Sequence, residues 1–361
     1  MARKPDAALR RGFSTGACAT AATRAAYQAL LTGSFPDPVQ IRLPKGETPA
    51  FALARQRLAH DFAEAAIVKD AGDDPDVTHG ALVIAKVWRG PAGSGVEFRA
   101  GAGVGTVTKP GLPLSVGEPA INPVPRAMMR AAIAEVARDQ GARGDAIVEI
   151  GVANGAALAE KTWNPRLGIQ GGLSILGTTG IVVPYSCAAW ISSIHRGIDV
   201  ARAANCVHVA GCTGKTSEAL VRRLYDLPET ALLDMGDFAG GLLKYLRRHP
   251  LPKLTIAGGF AKMTKLASGH LDLHSGRSQV DTAWLAARLA ELGANSMAVA
   301  AAAGAPTALG VLETARQAGL PLADLIAARA RATAETALSG AAVAVEVVVV
   351  DRQGRLLGKS G

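Results

Sequence analysis

Near residue 180 the apolar pattern of this 361-residue chain changes period, and few folds survive that change. Up to that point, strand-like segments follow one another at 39–43, 51–58, 62–68, 81–88 and 96–100, with no helix between them. An Ala-rich helix at 17–30 precedes them, cappable by Ser14 or Thr15 and closed by Gly33. A helix at 125–138 and a strand at 146–152 follow. Consecutive strands that share two helices imply a mixed or antiparallel α+β sandwich. Beyond 180, strands at 181–184, 206–209, 231–234 and 254–257 alternate with helices at 187–202, 217–225, 238–248 and 260–267. That alternation predicts a three-layer α/β domain with a mostly parallel sheet. Helical stretches at 280–292, 305–318 and 322–338 lead to a closing hairpin, 343–350 with 355–357, turning at Gln353 and Gly354. Two domains are expected, 1–180 and 181–361, which also suits a length beyond one ordinary core.

Hydrophobic residues make up 49% of the chain but aromatics only 4%, so both cores must be packed from Ala, Val, Leu and Ile. Lys and Arg exceed Asp and Glu by 39 to 30, giving a net charge of +9 that favours an anionic partner. Apart from Arg3, Lys4, Arg10 and Arg11 the basic residues are scattered, and none interleave with aromatics as a nucleic-acid surface requires. An anionic small molecule is the expected partner, not nucleic acid. The four cysteines (Cys18, Cys187, Cys206, Cys212) have no disulfide-framework spacing. With no hydrophobic leader and no apolar run near the ~20 residues of a membrane span, the expectation is a cytoplasmic protein without a membrane partner. A homo-oligomer is compatible with the sequence, which does not specify one.

Clustered glycines mark the candidate ligand loops. Residues 101–112 (GAGVGTVTKPGL) follow a strand, but Pro110 and Gly111 disfavour the helix that a dinucleotide fold needs there. A substrate loop with Thr108 and Lys109 as anion contacts competes evenly with a structural turn. Residues 211–216 (GCTGKT) look like a phosphate loop, yet Val209 stands where its first glycine belongs. What remains is a strand ending at Val209, a turn through Gly211 and Gly214, and a helix N-terminus with free N–H groups. Similar strand ends occur at Asp234–Asp237 and at Gly258 and Gly259. Ligands lie at such carboxyl ends in open α/β sheets, and Asp234 or Asp237 could hold a ribose diol, with helix capping as the alternative for Asp237. The acidic turn Asp70, Asp73, Asp74, Asp76 has Ala81 where a calcium loop needs Glu, so no protein-bound metal is expected. Cys206 and His208 read as core residues, not zinc ligands. His270 and His274, near Lys265, form the best acid/base neighbourhood.

Taken in order, seven segments resemble the cobalt-precorrin-5B C1-methyltransferase (CbiD) family of anaerobic cobalamin synthesis. They are 13–20 (FSTGACAT), 68–78 (VKDAGDDPDVT), 101–112, 120–126 (AINPVPR), 161–169 (KTWNPRLGI), 171–180 (GGLSILGTTG) and 258–267 (GGFAKMTKLA). The family more often has Thr where Ser14 stands. The resemblance implies methyl transfer from S-adenosylmethionine to C1 of a cobalt-containing tetrapyrrole rich in carboxylates, which suits the charge of +9. It also suggests that the first domain cradles the macrocycle through Thr15, Gly16, Lys69, Asp73, Asp74, Gly103, Thr108, Lys109, Asn122 and Arg126, with Arg166 nearby. The donor would sit on the second domain at Gly211, Gly214, Asp234, Asp237, Gly258 and Gly259, with Gly171, Gly172, Thr178 and Thr179 at the junction. Proton loss after transfer could use Asp70, His270 or solvent. Two rivals stand beside this reading: a small-molecule kinase using 101–112 as its phosphate loop, and a non-catalytic tetrapyrrole carrier.

Overall fold

The computed structural model describes residues 9–361, so Arg3 and Lys4 lie outside the described residues. The chain divides after Cys187 into two compact units.

The first unit is built on one helix. Thr15–Thr32 starts where the Ser14 hydroxyl accepts the Ala17 N–H at 3.2 Å, and it stops where Gly33, at φ 80°, returns its N–H to Ala29. Its alanines at 17, 19, 21, 22, 25 and 26 are completely buried. Side chains that short let the helix lie close to a sheet with little rotamer entropy to lose. The sheet runs in the order Arg55–Leu58, Phe62–Val68, Leu82–Arg89, Ala146–Val152, Val96–Ala100, antiparallel except for the last, parallel pair. Ala63, Ala65, Val83, Ala85, Val87, Val148 and Ile150 point to the helix side, with the second helix, Pro123–Asp139, also packed there. On the other face, register sets Arg57, Glu64, Lys86, Glu149 and Arg99 side by side, a row of alternating sign across all five strands.

Three chain passes then meet backbone to backbone. Gly103 (φ 78°) has Val152 O 2.1 Å from where a Cβ would stand, Gly155 has Gly103 O at 2.2 Å, and Gly172 has the Gly103 carbonyl carbon at 2.3 Å. Any side chain here would displace main chain. Some expected strands are shorter than the sequence suggested: 39–43 pairs only at Val39–Gln40, and 51–58 splits into Ala50–Phe51 and Arg55–Leu58. The segment 181–184 is a correction. Ile181–Val182 pairs antiparallel with Gly12–Phe13 in the first unit and does not open the parallel sheet. Tyr185 ends it at φ 56°, its N–H donated to Asp74 at 2.8 Å.

The second unit has the sheet order Leu232–Asp234, His208–Cys212, Lys253–Gly259, Ala344–Val350, Leu356–Ser360. The first four strands are parallel and the last is antiparallel. Ile194, Leu243, Met263, Leu285, Val311 and Ile326 bring most of the helices to one face, against Val209, Ile256 and Val347. On the opposite face Leu220 and Val221 of helix Lys215–Leu224 cover Ala210, Cys212, Ala257, Val348 and Val350. The layering is therefore three-deep but lopsided. The strand expected at 206–209 runs instead at His208–Cys212, because Ala210, Gly211 and Cys212 fit between two helical layers despite their weak strand propensity. Helix Ser296–Ala303, capped by Asn295, has no counterpart in the sequence reading: after Ser296 every residue is apolar, which leaves no 3.6-residue pattern to find.

Beside Lys215–Leu224 that face turns polar. The nearly buried Glu346 accepts hydrogen bonds from Tyr225 and from Thr255 at 2.8 Å, and Lys359 sits 3.0 Å away. Thr255 in turn meets His208 at 2.8 Å. Burial pushes the Glu346 carboxyl up, but the hydrogen bonds and Lys253 outweigh it and hold it below the usual glutamate range.

Two outcomes follow. Gly103→Ala should cost the first unit more than about 2 kcal/mol, whereas Gly171→Ala, at φ 83° but facing open space, should cost only about 1 kcal/mol; urea denaturation of both variants checks this, and equal losses would refute the close-contact account. Glu346→Gln should lose about 1–3 kcal/mol at neutral pH. Because the folded-state carboxyl is depressed, that advantage of Glu346 exists above the ordinary glutamate range and vanishes as pH falls through its folded value. Thermal melts from pH 7 down to pH 3 should show the two proteins converging.

Candidate functional site

In a parallel sheet every strand carboxyl end lies at one edge, so register alone gathers the turns of the second unit. Cys212 aligns with Asp234 and with Ala257, which places 213–214, 235–237 and 258–259 side by side. The glycines there divide into two kinds. A Cβ on Gly211 would strike Leu242 at 2.5 Å, and one on Gly258 would strike Met263 at 2.7 Å, so these two serve packing. Gly214 and Gly259 have nothing within 4 Å of that position, and each precedes a helix, Lys215–Leu224 and Phe260–Ala267. Open space, two helix N-termini and a carboxylate thus share one edge, an arrangement suited to a polar ligand.

Asp237 lies within that edge, its side chain 14% exposed. The Lys262 ammonium is 3.0 Å from Asp237 Oδ1 and donates to Thr213 O at 3.2 Å. The ion pair is off the hydrogen-bond direction, and the buried Oδ1 has no hydrogen bond among the described residues. Lys265 of the same helix donates to Leu273 O at 2.9 Å, and burial pushes its ammonium pKa down. Asp234 is half-buried, and its backbone oxygen accepts from Trp190 Nε1 at 3.1 Å. Trp190, Thr213 and Lys262 were not picked out from sequence; a lysine three positions after Gly-Gly at a strand end was the available signal for the last.

In the first unit most expected contacts are already spoken for. The acidic turn is a brace. Asp70 pairs with Arg10 through both guanidinium nitrogens, Asp73 accepts the Arg10 N–H at 2.6 Å, and Asp74 accepts Tyr185 N–H. Lys69 is 1% exposed and bound to Asp76 at 2.6 Å. The Arg10 hydrogen bonds, with the Gly72 N–H, hold the Asp70 carboxyl at about 2, which makes it a weak proton acceptor at neutral pH. Thr15 Oγ1 receives the Leu176 N–H at 3.0 Å, and Gly16 N–H goes to Leu176 O. Arg126 is occupied by Glu118 at 3.0 Å and by the carbonyls of Ile121 and Pro119. Asn122 donates to Ile175 O at 3.3 Å, and Arg166 stacks over Trp163.

The loop 101–112 likewise spends Gly103 on backbone packing and Thr108 on Gly168 O at 2.8 Å. That leaves little for a triphosphate. The carbon chain of Lys109 lies over Gly168, and among the described residues its ammonium has no hydrogen bond or ion pair. A hollow of about 280 Å³ lies beside the loop, lined by Ile84, Ala102, Gly103, Val152, Asn154 and Gly155. The segment 171–180 falls inside the first unit: Gly172 packs on Gly103, Thr179 Oγ1 bonds to Ile181, and only Gly171 and Thr178 of the four expected contacts face solvent. His270 is exposed and follows helix Phe260–Ala267, about 12 Å of helical rise from Gly259, while Asp70 belongs to the first unit. Among the described residues no group of three or more His, Cys, Asp or Glu is placed to hold a metal ion, and all four cysteines are free thiols.

Comparison with known proteins matches residues 2–184 to the family CbiD and residues 272–361 to CbiD, C-terminal domain. A cobalt-precorrin-5B C(1)-methyltransferase from Paramagnetospirillum magneticum is 62% identical over 353 residues, covering 98% of this chain and 98% of its own length. One from a Bradyrhizobium species is 61% identical, covering 97% and 93%. A crystal structure of a cobalamin biosynthesis protein (cbiD) from Archaeoglobus fulgidus shares 27% identity over 75% of this chain and 84% of that one, with a TM-score of 0.41. This chain belongs to the CbiD family.

Proposed function

We propose that the chain is a methyltransferase acting on C1 of cobalt-precorrin-5B, with S-adenosylmethionine as the methyl donor. One observation carries the reaction: 62% identity over 98% of both chains to a relative of that name. The choice of donor rests on the open strand-end cradle at Gly214 and Gly259 with Asp234 and Asp237 beside it. A nucleoside edge fits such a cradle, where a side chain on either glycine would intrude.

Bound there, S-adenosylmethionine supplies an electrophilic methyl group, whose carbon bonds to ring C1 as the S–C electron pair returns to sulfur and leaves a neutral thioether. Charge is dispersed in this step, so the protein's task is alignment more than charge stabilisation; positioning alone is worth effective molarities of roughly 10⁵–10⁸ M. The backbone N–H groups opening helices Lys215–Leu224 and Phe260–Ala267 orient the donor's polar edge. The carboxylates of Asp234 and Asp237 take its hydroxyls. In the first unit we assign the substrate's carboxylates chiefly to Lys109, because Lys69 and Arg126 are already neutralised by Asp76 and Glu118. For a later proton loss, Asp70 is a poor acceptor at about 2, and His270 stands at the far end of its helix from the cradle, so we assign that proton to water.

Single-turnover incubation with cobalt-precorrin-5B and S-adenosylmethionine labelled at the methyl carbon should move the label to the macrocycle; tight macrocycle binding without transfer would make the chain a carrier instead. Lys109→Met should raise the KM for the macrocycle about tenfold while leaving kcat within about twofold, the pattern of lost uniform binding. An unchanged KM removes Lys109 from the substrate site.

A further inference from the structure

Lys262 occupies an unusual place at the strand-end edge. Its ammonium touches two different turns, Thr213 O at 3.2 Å and Asp237 Oδ1 at 3.0 Å, while its own helix begins at the third, Gly259. It adds a side-chain tie to the backbone bonds that already join these turns. It also balances the charge of the mostly buried Asp237 carboxylate, whose Oδ1 is shut off from solvent and has no hydrogen bond among the described residues.

We propose that Lys262 is a positioning residue that keeps the donor cradle electrically balanced, so that a sulfonium and the thioether it becomes are held about equally. The inference rests on the donor reading given above and goes further by naming what sets the cradle's preference. The physical case concerns differential binding. As the methyl group leaves, the donor sulfur passes from positive to neutral. A bare carboxylate beside it would hold the cationic reactant more firmly than the transition state, in which that charge is already fading, and ground-state binding of this kind slows the chemical step. Pairing Asp237 with Lys262 removes that bias. The other charged groups of this neighbourhood are Asp234 at the neighbouring strand end, Asp272, which acts on Lys265 from the adjoining loop, and the cations Lys265 and Lys215, the latter opening helix Lys215–Leu224; all of them stay unchanged in the variants below.

The test compares two ligands that differ chiefly in that one charge. Calorimetric affinities for S-adenosylmethionine and S-adenosylhomocysteine should be similar on the unaltered protein. Lys262→Met should shift their ratio toward S-adenosylmethionine by about threefold or more, the effect of an unscreened charge some 6 Å away even in a watery dielectric, and should lower single-turnover kcat. Lys262→Arg should restore the ratio, since charge is kept. Adding Asp237→Asn to Lys262→Met should also restore it, because the unbalanced carboxylate is gone. Equal weakening of both ligands in Lys262→Met would reduce the lysine to a structural tie and overturn the proposal. Failure of the unaltered protein to bind either ligand would instead overturn the donor site itself, and this inference with it.

Discussion

Main chain resting on main chain is the condition that the first unit depends on. At Gly103, Gly155 and Gly172 three passes approach within the width of a side chain, and nothing but hydrogen occupies the space between them. Contacts of this kind fix the path of 101–112 and of 168–177 beside a core packed mainly from aliphatic side chains. At these three positions glycine serves to let backbone meet backbone.

The second unit depends on direction instead. Four parallel strands end together, so three turns far apart in sequence become neighbours with no special residues required. Chemistry is then added sparingly: two open glycines, two helix N-termini, and the Asp237–Lys262 pair.

Much of this was legible beforehand, for identifiable reasons. Strands Phe62–Val68, Val96–Ala100 and Ala146–Val152 declared themselves through β-branched or alternating patterns, and helix Leu322–Leu338 through its period. Where propensity and context disagreed, context won: His208–Cys212 is a strand although Ala, Gly and Cys say little, and Ile181–Val182 looks like the next sheet's opening strand yet finds its partner at Gly12–Phe13. Site residues were harder. Sequence displays charge but not its partner, so Lys69, Asp70 and Arg126 looked free until the geometry placed Asp76, Arg10 and Glu118 against them. Lys262 was hidden for the opposite reason, since nothing in the sequence says which turns it reaches.

Strand Ala344–Val350 lies directly beside Lys253–Gly259, though a run of helices separates them in the chain. Joining them requires closing a loop that spans positions 259 to 344, whose entropy must be met before the pairing gives anything back. Non-local closures of this sort slow folding more than they weaken the final state. Until that closure, the apolar edge of the central strand waits unpaired, and the newly made chain passes through a period in which its own valine-rich strand competes with any other exposed strand for the same seat.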